Sequence, residues 1–424
     1  MSPDEPPDAE SAAAAEQSAK SAEQPTAEPV EAADVASPVH STSEGDAPPV
    51  ADAPPVADAP PVGDEPTRGE VAPASESATS AWTVSFGFNL GKIAGQGEDA
   101  DPILDNGRHQ VGLVAVFDGM GGAGGTVYQT PDGPRTGAYL ASRAARQTVA
   151  QRIGDMVNLG SALDGPRAAE DLRRCVEEAL TARLAELQAP RSGLRSKLLR
   201  ALPTTMALAL VRRHESDDQT WTCELWWAGD SRVYAMDPAG GAHQLTIDDI
   251  RDQGDALANL SDDSVVSNAM SADTPFEIRY RSVELSSPFL LIAATDGCFG
   301  YFRSPMHFEH LILAALLDAP DTESWSTAVQ EQITAITGDD ASMALLGAGS
   351  DHDGFRTLFA ERLTTVANRW VHPIDQLTME IDRLAAELDS LRERQSELTA
   401  DLWAGYKPGY VSYLGEPAAT AGPS

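Results

Sequence analysis

The segment Val-Gly-Leu-Val-Ala-Val-Phe at 111–117, followed by Asp118-Gly119-Met120-Gly121-Gly122, decides the fold of this 424-residue chain. Its first seven residues are apolar or small at every position, which is typical of a β-strand covered on both faces. Residues 204–211, 289–294 and 343–346 have the same character. The sequence therefore predicts a sheet structure whose central strands are buried on both sides.

Carboxylates stand at the ends of these apolar runs. Asp118 follows the first run, Asp230 follows an apolar stretch at 225–228, and Asp296 follows the run that starts at residue 289. The pair Asp339-Asp340 comes just before the last run. If the strands are neighbours, these side chains converge, and oxygen ligands of this kind suit Mg²⁺ or Mn²⁺. One Asp-Gly alone is more often an ordinary turn, but the set favours a metal site for phosphoester hydrolysis.

Segments with helical spacing lie between the apolar runs, at residues 136–153, 167–188, 306–317 and 323–336. Around residues 84–90, and again at Phe276, Ile278 and Tyr280, apolar and polar residues alternate. This alternation predicts half-buried antiparallel strands. Many strands with long helices between them indicate a layered α/β or α+β domain.

Residues 1–80 differ from the rest of the chain. They are acidic and rich in alanine and proline, and the first aromatic residue is Trp82. A unit Asp-Ala-Pro-Pro-Val begins at Asp46, Asp52 and Asp58, and paired prolines favour a stiff, extended chain. Such a composition has little apolar area to offset the entropy of ordering. We therefore predict a disordered tether, with docking of a partner as an additional role.

The chain has 65 acidic and 30 basic side chains, a formal net charge of −35, which argues against nucleic-acid binding. Neither a leader pattern nor an apolar run of about 18 residues occurs, so neither secretion nor a membrane partner is expected. Cys175, Cys223 and Cys298 are odd in number and far apart, which argues against a disulfide framework and a zinc site. A cytoplasmic location is expected.

A series of motifs over residues 82–349 resembles, in order and spacing, the metal-dependent PP2C-type (PPM) protein serine/threonine phosphatases in their compact bacterial form. The motifs are Gly97-Glu98-Asp99-Ala100, Val116-Phe117-Asp118-Gly119-Met120-Gly121-Gly122, Thr204-Thr205-Met206-Ala207, Gly229-Asp230-Ser231-Arg232-Val233-Tyr234, Leu245-Thr246-Ile247-Asp248-Asp249, Thr295-Asp296-Gly297 and Gly338-Asp339-Asp340-Ala341-Ser342. Chance does not easily produce all of them in this order.

The resemblance implies an α+β fold, a four-layer α-β-β-α sandwich with a binuclear metal site at one end. Asp118 would bridge two Mg²⁺ or Mn²⁺ ions, and Gly119 would add its carbonyl oxygen. Asp296 and Asp339 would complete the first metal. These residues are the implied centre of the site.

Three further acidic residues have roles implied by the same resemblance. Glu98 and Asp99 would act mostly through bound waters, and Asp230 would belong to a third, weakly held metal. A metal-activated water would be the nucleophile, so no covalent phosphoenzyme is expected. The implied catalytic set is Asp118, Asp296, Asp339, Glu98 and Asp99.

One position departs from the family pattern. The family usually has an arginine four residues before the first motif's glutamate, where it holds the substrate phosphate in bidentate fashion, and here that residue is Ala94. Lys92 is the candidate phosphate-binding residue in its place, although a lysine is a point charge without the guanidinium fork. Arg108, Arg135 and Arg303 lie near the motifs in sequence, but a solvated surface arginine is the simpler interpretation.

Cysteine-based phosphatase chemistry predicts a different signature, with an arginine six residues after a nucleophilic cysteine. The residues six positions after the three cysteines are Thr181, Gly229 and Ser304. The metal-dependent route therefore remains as the phosphatase mechanism.

Residues 189–214 form a basic stretch without any acidic residue. Such a stretch in an acidic protein can recruit phosphorylated or acidic partners. A solvated connection between a helix and a strand is the simpler interpretation.

Residues 373–403 carry a heptad repeat with a regular a/d seam. The a positions are Ile374, Ile381, Leu388, Gln395 and Leu402, and the d positions are Leu377, Leu384, Leu391 and Leu398. Pro373 is placed to open this helix, and Gly405 with Pro408 to close it. The repeat indicates a coiled-coil homodimer or a partner helix, with Gln395 setting the register. The alternative is an antiparallel hairpin with a helix predicted over residues 355–371.

The sequence thus predicts a tether at 1–80, a PP2C-like phosphatase domain at 81–350 and a helical extension at 351–424 with a flexible tail. The expected function is hydrolysis of phosphoserine and phosphothreonine in signalling, with a phosphorylated protein as substrate and a counteracting serine/threonine kinase. The alternative is a pseudophosphatase that keeps metal and binds partners through the tether and the C-terminal helix. The intact acidic set favours catalysis, and the missing arginine favours the alternative.

Overall fold

The computed structural model describes residues 82–93, 95–106, 111–158, 164–187, 200–214, 216–217, 219–251, 254–261 and 265–414. The tether predicted at 1–80, Ala94, Arg108 and residues 189–199 of the basic stretch lie outside the described residues. The end of the predicted tail, from residue 415, lies outside them as well.

Two five-stranded antiparallel sheets form the centre of the described chain. In spatial order, the first sheet contains β1 (Trp82–Leu90), β12 (Ala341–Ala348), β11 (Phe289–Ala294), β8 (Arg232–Asp237) and β9 (Gly241–Gln244). The second sheet contains β10 (Arg279–Ser286), β7 (Thr220–Ala228), β6 (Met206–Arg213), β3 (Val111–Val116) and β2 (Ile103–Asp105). A separate hairpin consists of β4 (Val127–Thr130) and β5 (Gly133–Thr136).

Helices cover the outer faces of both sheets. The second sheet packs against α2 (Gly137–Asn158) and α3 (Gly165–Glu186). The first sheet packs against α6 (Pro305–Asp318), α7 (Thr322–Ile336) and α8 (His352–Val366). The remaining helices are the short α1 (Gly121–Gly124), α4 (Ala258–Ser261) and α5 (Asp296–Phe299), and the long α9 (His372–Tyr410).

The two-sided apolar strands predicted from the sequence lie in the middle of this sandwich. In β11, Leu290 and Ile292 face the core beneath α6, α7 and α8. The intervening Leu291 and Ala293 face the core between the two sheets. Because successive residues of a strand point to opposite faces, a strand covered on both sides must be apolar at every position. The fold class, a four-layer α-β-β-α sandwich, is confirmed.

The predicted helices and strands are present, with shifts of a few residues at their ends. The prediction of a strand at Phe276 and Ile278 is wrong, because β10 begins only at Arg279. Both side chains are nevertheless buried in the core under α2 and α3. Their alternation therefore reflects burial of a segment that pairs with no described strand. Within the described part of the chain, no helix combines the length and the apolar character that a bilayer span requires.

The helical extension begins inside the packed core. In α8, Phe355 and Phe359 are fully buried against the first sheet and its helices. The core thus continues past residue 350, where the sequence placed the end of the domain. A π-helical segment, Ala367–Val371, joins α8 to α9 without a turn. The predicted alternative of an antiparallel hairpin is therefore wrong.

The end of α9 also differs from the prediction. The helix continues through Gly405 and Pro408 and ends at Tyr410. Pro408 lies in the last turn of α9. It has no N–H, so one hydrogen bond, to the carbonyl four residues earlier, is missing there. The residues after it can still be helical, which is why proline did not mark the end.

We expect Phe355→Ala to destabilise the protein by about 3–5 kcal/mol, because a fully buried ring leaves a cavity. Leu358→Ala on the same helix, where Leu358 is 41% exposed, should cost less than about 1 kcal/mol. Urea unfolding followed by tryptophan fluorescence measures both. Equal, small effects of the two substitutions would mean that α8 is not part of the core.

Candidate metal centre

Four aspartates come together at one end of the sandwich, on the wall of a cavity of about 830 Å³. Asp118 follows β3, Asp230 lies in the turn between β7 and β8, Asp296 follows β11, and Asp339 precedes β12. In the second sheet, antiparallel pairing places the end of β3 and the end of β7 at the same end of the sheet. In the first sheet, it does the same for the start of β8, the end of β11 and the start of β12. Glu98 lines the same cavity. Asp248 and Asp340 also line it, so among the described residues the sandwich gathers seven carboxylates from distant parts of the chain around one cavity.

The threonine-rich motif holds two of the carboxylate loops side by side. The hydroxyl of Thr204 and the backbone N–H of Thr205 donate to the carbonyl oxygen of Asp118, at 2.6 Å and 2.9 Å. The Thr205 hydroxyl also hydrogen-bonds the hydroxyl of Ser231 at 2.6 Å. These threonines therefore orient Asp118 and the neighbouring loop of Asp230 while remaining buried themselves.

Two glycines are required by the close approach of these loops. A Cβ on Gly119 would lie 2.4 Å from the carbonyl oxygen of Glu98. Gly229 has a φ of +104°, which favours glycine, and a Cβ there would lie 2.6 Å from Thr205. Without side chains at these positions, the three carboxylate loops can pack against one another.

Asp99 lies below the floor of the cavity rather than on its surface. It is 1% exposed, and its carboxylate accepts hydrogen bonds from the Thr295 hydroxyl at 2.9 Å and the Gly119 N–H at 3.4 Å. Burial raises the pKa of Asp99 well above its usual range, and the charges of Asp296 and Asp340 raise it further. Asp99 therefore connects the floor of the site to the core.

The segment that carries Glu98 is held from both sides. The carboxylate of Asp340 accepts hydrogen bonds from the backbone N–H groups of Lys92 at 2.7 Å and Glu98 at 2.5 Å. On the opposite side, Arg143 of α2 donates to the carbonyl oxygens of Gly97 and Glu98, both at 3.1 Å. Sequence reasoning missed Arg143, since it lies outside every motif, and it did not separate Asp340 from Asp339.

A buried ion pair stands behind the Asp230 loop. Arg232 donates through its guanidinium to both carboxylate oxygens of Asp248, with a shortest contact of 2.6 Å. Its guanidinium also lies 4.4 Å from the ring centre of Phe299. Asp249 accepts hydrogen bonds from Asn268 at 2.6 Å and Arg279 at 3.0 Å. These two motif aspartates therefore hold the loops around the cavity through ion pairs.

The acidic groups of the site favour their protonated forms in the absence of a cation. Burial is the main cause, and repulsion between the carboxylates adds to it. The pKa of Asp118 is raised well above its usual range, that of Asp230 is raised to about 7, and those of Asp296 and Glu98 are raised. Clustered carboxylates of this kind are compensated by bound cations.

The donor set suits Mg²⁺ or Mn²⁺, which prefer carboxylate, carbonyl and water oxygens. Among the described residues, no three His, Cys, Asp or Glu side chains are arranged so that all of them could hold the same ion. Mg²⁺ usually keeps several waters and takes only one or two carboxylates. Carboxylates spread over the wall of a cavity of this size fit that kind of site.

Two cationic side chains line the described part of the cavity, those of Lys92 and Arg232. Arg232 is engaged by Asp248, whereas Lys92 is exposed. Arg135 donates to the Gly95 carbonyl at 3.0 Å, and Arg303 lies 3.6 Å from Asp375 of α9. Of these cations, Lys92 is therefore the one whose side chain lines the cavity without an ion pair to a described residue.

A family model described as protein phosphatase 2C matches residues 98–336, more than half of the chain. That span contains Glu98, Asp118, Asp230 and Asp296 and ends just before Asp339. No curated protein sequence matches the chain significantly.

Several of the solved structures that are similar to this chain are described as serine/threonine phosphatases. The Mycobacterium tuberculosis phosphatase PstP/Ppp is 17% identical with a TM-score of 0.44, over 63% of this chain and 98% of that chain. Stp1 from Staphylococcus aureus is 17% identical with a TM-score of 0.43, over 63% and 95%. The catalytic domain of PstP in complex with two manganese ions is 14% identical with a TM-score of 0.42, over 63% and 98%.

We expect the metal-free protein to lose stability as the pH rises. The pKa of Asp230 is raised from 3.8 to about 7, so the folded state binds this proton more tightly than the unfolded chain. The resulting stability is complete below about pH 4 and is lost as the pH rises through about 7. Asp230→Asn cannot ionise and should reduce this loss.

Urea unfolding in EDTA between about pH 5 and pH 8 measures the effect, because the linkage acts within that window. Asp382→Asn, an exposed position on α9, is the matched control and should follow the wild type. An Asp230→Asn profile parallel to that of the wild type would contradict the raised pKa.

Proposed function

Because this chain belongs to the protein phosphatase 2C family, we propose that it is a metal-dependent hydrolase of phosphoserine and phosphothreonine in proteins. The observation that carries this proposal is the convergence of the acidic motif residues on one cavity wall. These residues are Glu98, Asp118, Asp230, Asp296 and Asp339. They occupy the positions at which the family motifs imply metal ligands.

In this proposal, the Asp118 carboxylate and the Gly119 carbonyl oxygen would be central ligands for two Mg²⁺ or Mn²⁺ ions. Asp296 and Asp339 would complete the coordination of the first ion partly through bound waters, since no three described carboxylates are arranged around one point. Asp230 would contribute to a third, weaker ion. When bound, such ions supply Lewis acidity at the phosphoryl group and lower the pKa of water. A nearby positive charge also lowers a carboxyl pKa, so bound cations would return these carboxylates to their ionised forms.

Glu98 and Asp99 act on the site from different depths. Glu98 is on the cavity wall, where its carboxylate can hold waters, and Asp340 and Arg143 keep its backbone in place. Asp99 acts as a positioning residue, since it bonds Gly119 and Thr295 beneath the floor. The distinction follows from burial, because a fully enclosed carboxylate cannot reach substrate.

Lys92 is the phosphate-binding residue in this proposal. Its side chain lines the cavity, and its backbone N–H is held by Asp340, which also holds Glu98. An ammonium attracts a phosphate dianion but cannot reproduce the two parallel hydrogen bonds of an arginine. We infer that phosphate binding is weaker here than it would be with an arginine at position 94.

A covalent cysteine intermediate has no support among the described residues. Cys223 and Cys298 are buried, and burial raises the pKa of both thiols. A thiol that stays protonated is a poor nucleophile. We therefore infer direct attack by water, for which the leaving-group proton also comes from water. The substrate must be supplied by a protein kinase, because hydrolysis consumes a phosphorylated hydroxyl.

We expect Mn²⁺-dependent hydrolysis of a phosphothreonine peptide that EDTA abolishes and that Asp118→Asn reduces by roughly a hundredfold or more. Asp118→Asn removes the carboxylate that would contact both ions. Asp382→Asn on the exposed surface of α9 is the matched control and should retain activity. A folded wild type that binds Mn²⁺ by calorimetry but shows no turnover would favour the pseudophosphatase alternative.

We expect Lys92→Ala to raise KM for the same peptide, because it removes a charge-assisted contact worth about 1.5–3 kcal/mol, or roughly ten- to a hundredfold. Ala94→Arg should lower KM by adding the guanidinium that the family usually carries. Steady-state kinetics measure both. The control is Lys407→Ala, an exposed lysine on α9. If Lys92→Ala behaved like Lys407→Ala, Lys92 would not bind phosphate.

A further inference from the structure

Helix α9 leaves the packed domain after its first turns. Asp375 hydrogen-bonds His307 of α6 at 3.2 Å and lies 3.6 Å from Arg303. From Met379 to Tyr410, every residue is exposed. The apolar side chains of the seam are 48% to 68% exposed, namely Leu377, Ile381, Leu384, Leu388, Leu391, Leu398 and Leu402. No described residue of the chain covers this face.

The exposed face has the composition of a two-stranded coiled coil. Its first a positions are Ile374 and Ile381, and the d positions at 377, 384, 391 and 398 are all leucine. Isoleucine at a with leucine at d favours two parallel strands. At about 1.5 Å per residue, the seam from Ile374 to Leu402 is roughly 40 Å long. A seam of this length remains apolar and solvated unless a second helix pairs with it.

We propose that α9 pairs with α9 of a second copy of this chain as a parallel, in-register coiled coil. The hairpin partner within the chain is ruled out by the structure, because α8 runs through the π-helical segment Ala367–Val371 directly into α9. The occupant of the seam is therefore another molecule, and the charges beside the seam identify it as a second copy.

In a parallel pair, the g residue of one helix faces the e residue of the next heptad on the other helix. Glu387 occupies a g position and faces Arg392 of the second copy, and symmetry provides this pair twice. The other facing pairs contain at most one charge: Glu380 with Ala385, Arg394 with Thr399, and Asp401 with Tyr406. The parallel, in-register arrangement therefore has attractive pairs and no repulsive ones.

An antiparallel pair is less favourable for two reasons. It brings g residues opposite g residues, so that, depending on register, Glu387 faces itself or Glu380 faces Asp401. It also places Gln395 opposite an apolar d residue, whereas in the parallel arrangement Gln395 faces the Gln395 of the second copy. A polar a residue that meets its own counterpart specifies register and strand number.

Parallel pairing places the two domains at the same end of the coil, because each α9 begins where its domain ends. The two cavities then belong to one particle. This inference does not depend on the proposed phosphatase activity, since it rests on α9 alone.

Charge reversal at the facing pair tests the proposal with the full-length chain. Sedimentation equilibrium of the wild type should show a dimer, and Glu387→Arg or Arg392→Glu should each weaken it roughly tenfold. An equimolar mixture of the two variants should restore association, since every facing pair is then attractive. The matched controls are Glu393→Arg and Lys407→Glu, both at exposed f positions outside the interface.

Orientation is measured independently by oxidation of Leu398→Cys, which meets its own counterpart only in the parallel arrangement. The parent chain, with buried Cys223 and Cys298 and half-buried Cys175, is the background control. Circular dichroism verifies that each variant keeps its helices. A monomeric wild type would overturn the proposal, as would a dimer in which Leu398→Cys does not cross-link or in which the mixed charge variants do not associate.

Discussion

The structure depends on one electrostatic constraint: seven carboxylates of the described chain line one cavity at the end of an otherwise apolar sandwich. Burial and, after it, repulsion between the like charges raise the pKa of the Asp118, Asp230 and Asp296 carboxyl groups. Bound cations offset this unfavourable electrostatic energy. The same arrangement of carboxylates is therefore unfavourable in the metal-free protein and well suited to bind a divalent metal ion. The clustered negative charge is therefore the property of the site that favours binding of a divalent cation.

The apolar layers and the hydrogen bonds beneath the cavity together hold the carboxylates in place. Strands such as β11 are apolar on both faces, so their ends are rigidly placed, and the carboxylates follow directly after them. Beneath the cavity, buried hydroxyls and carboxylates such as Thr204, Thr295 and Asp99 are hydrogen-bonded to the loops. Because buried polar groups without partners are costly, this network fixes the loops in one arrangement.

The acidic cavity and the apolar seam of α9 lie in separate parts of the molecule. Lys92 and Asp340 lie at the cavity, whereas α9 contacts the domain only through its first turns. None of the seam residues of α9 is among the described residues that line the cavity. Its leucines recur in a heptad repeat, and pairing with a second helix would remove this apolar surface from water.

The sequence by itself determined the strands buried on both faces, the carboxylates at their ends, the long helices and the heptad seam. Each of these is a local pattern, because it depends on the spacing of residues along one strand or helix. Residues 276–278 show the limit of such patterns, since their alternation came from burial without strand pairing.

Only the tertiary structure decided which residues hold the site. Arg143 reaches Glu98 across 45 positions of sequence and Asp340 reaches it across 242. The pairing of Arg232 with Asp248, the burial of Asp99 and the direct passage of α8 into α9 were likewise outside the sequence patterns. These features depend on which distant segments pack together, and the spacing of residues within one element carries no information about that.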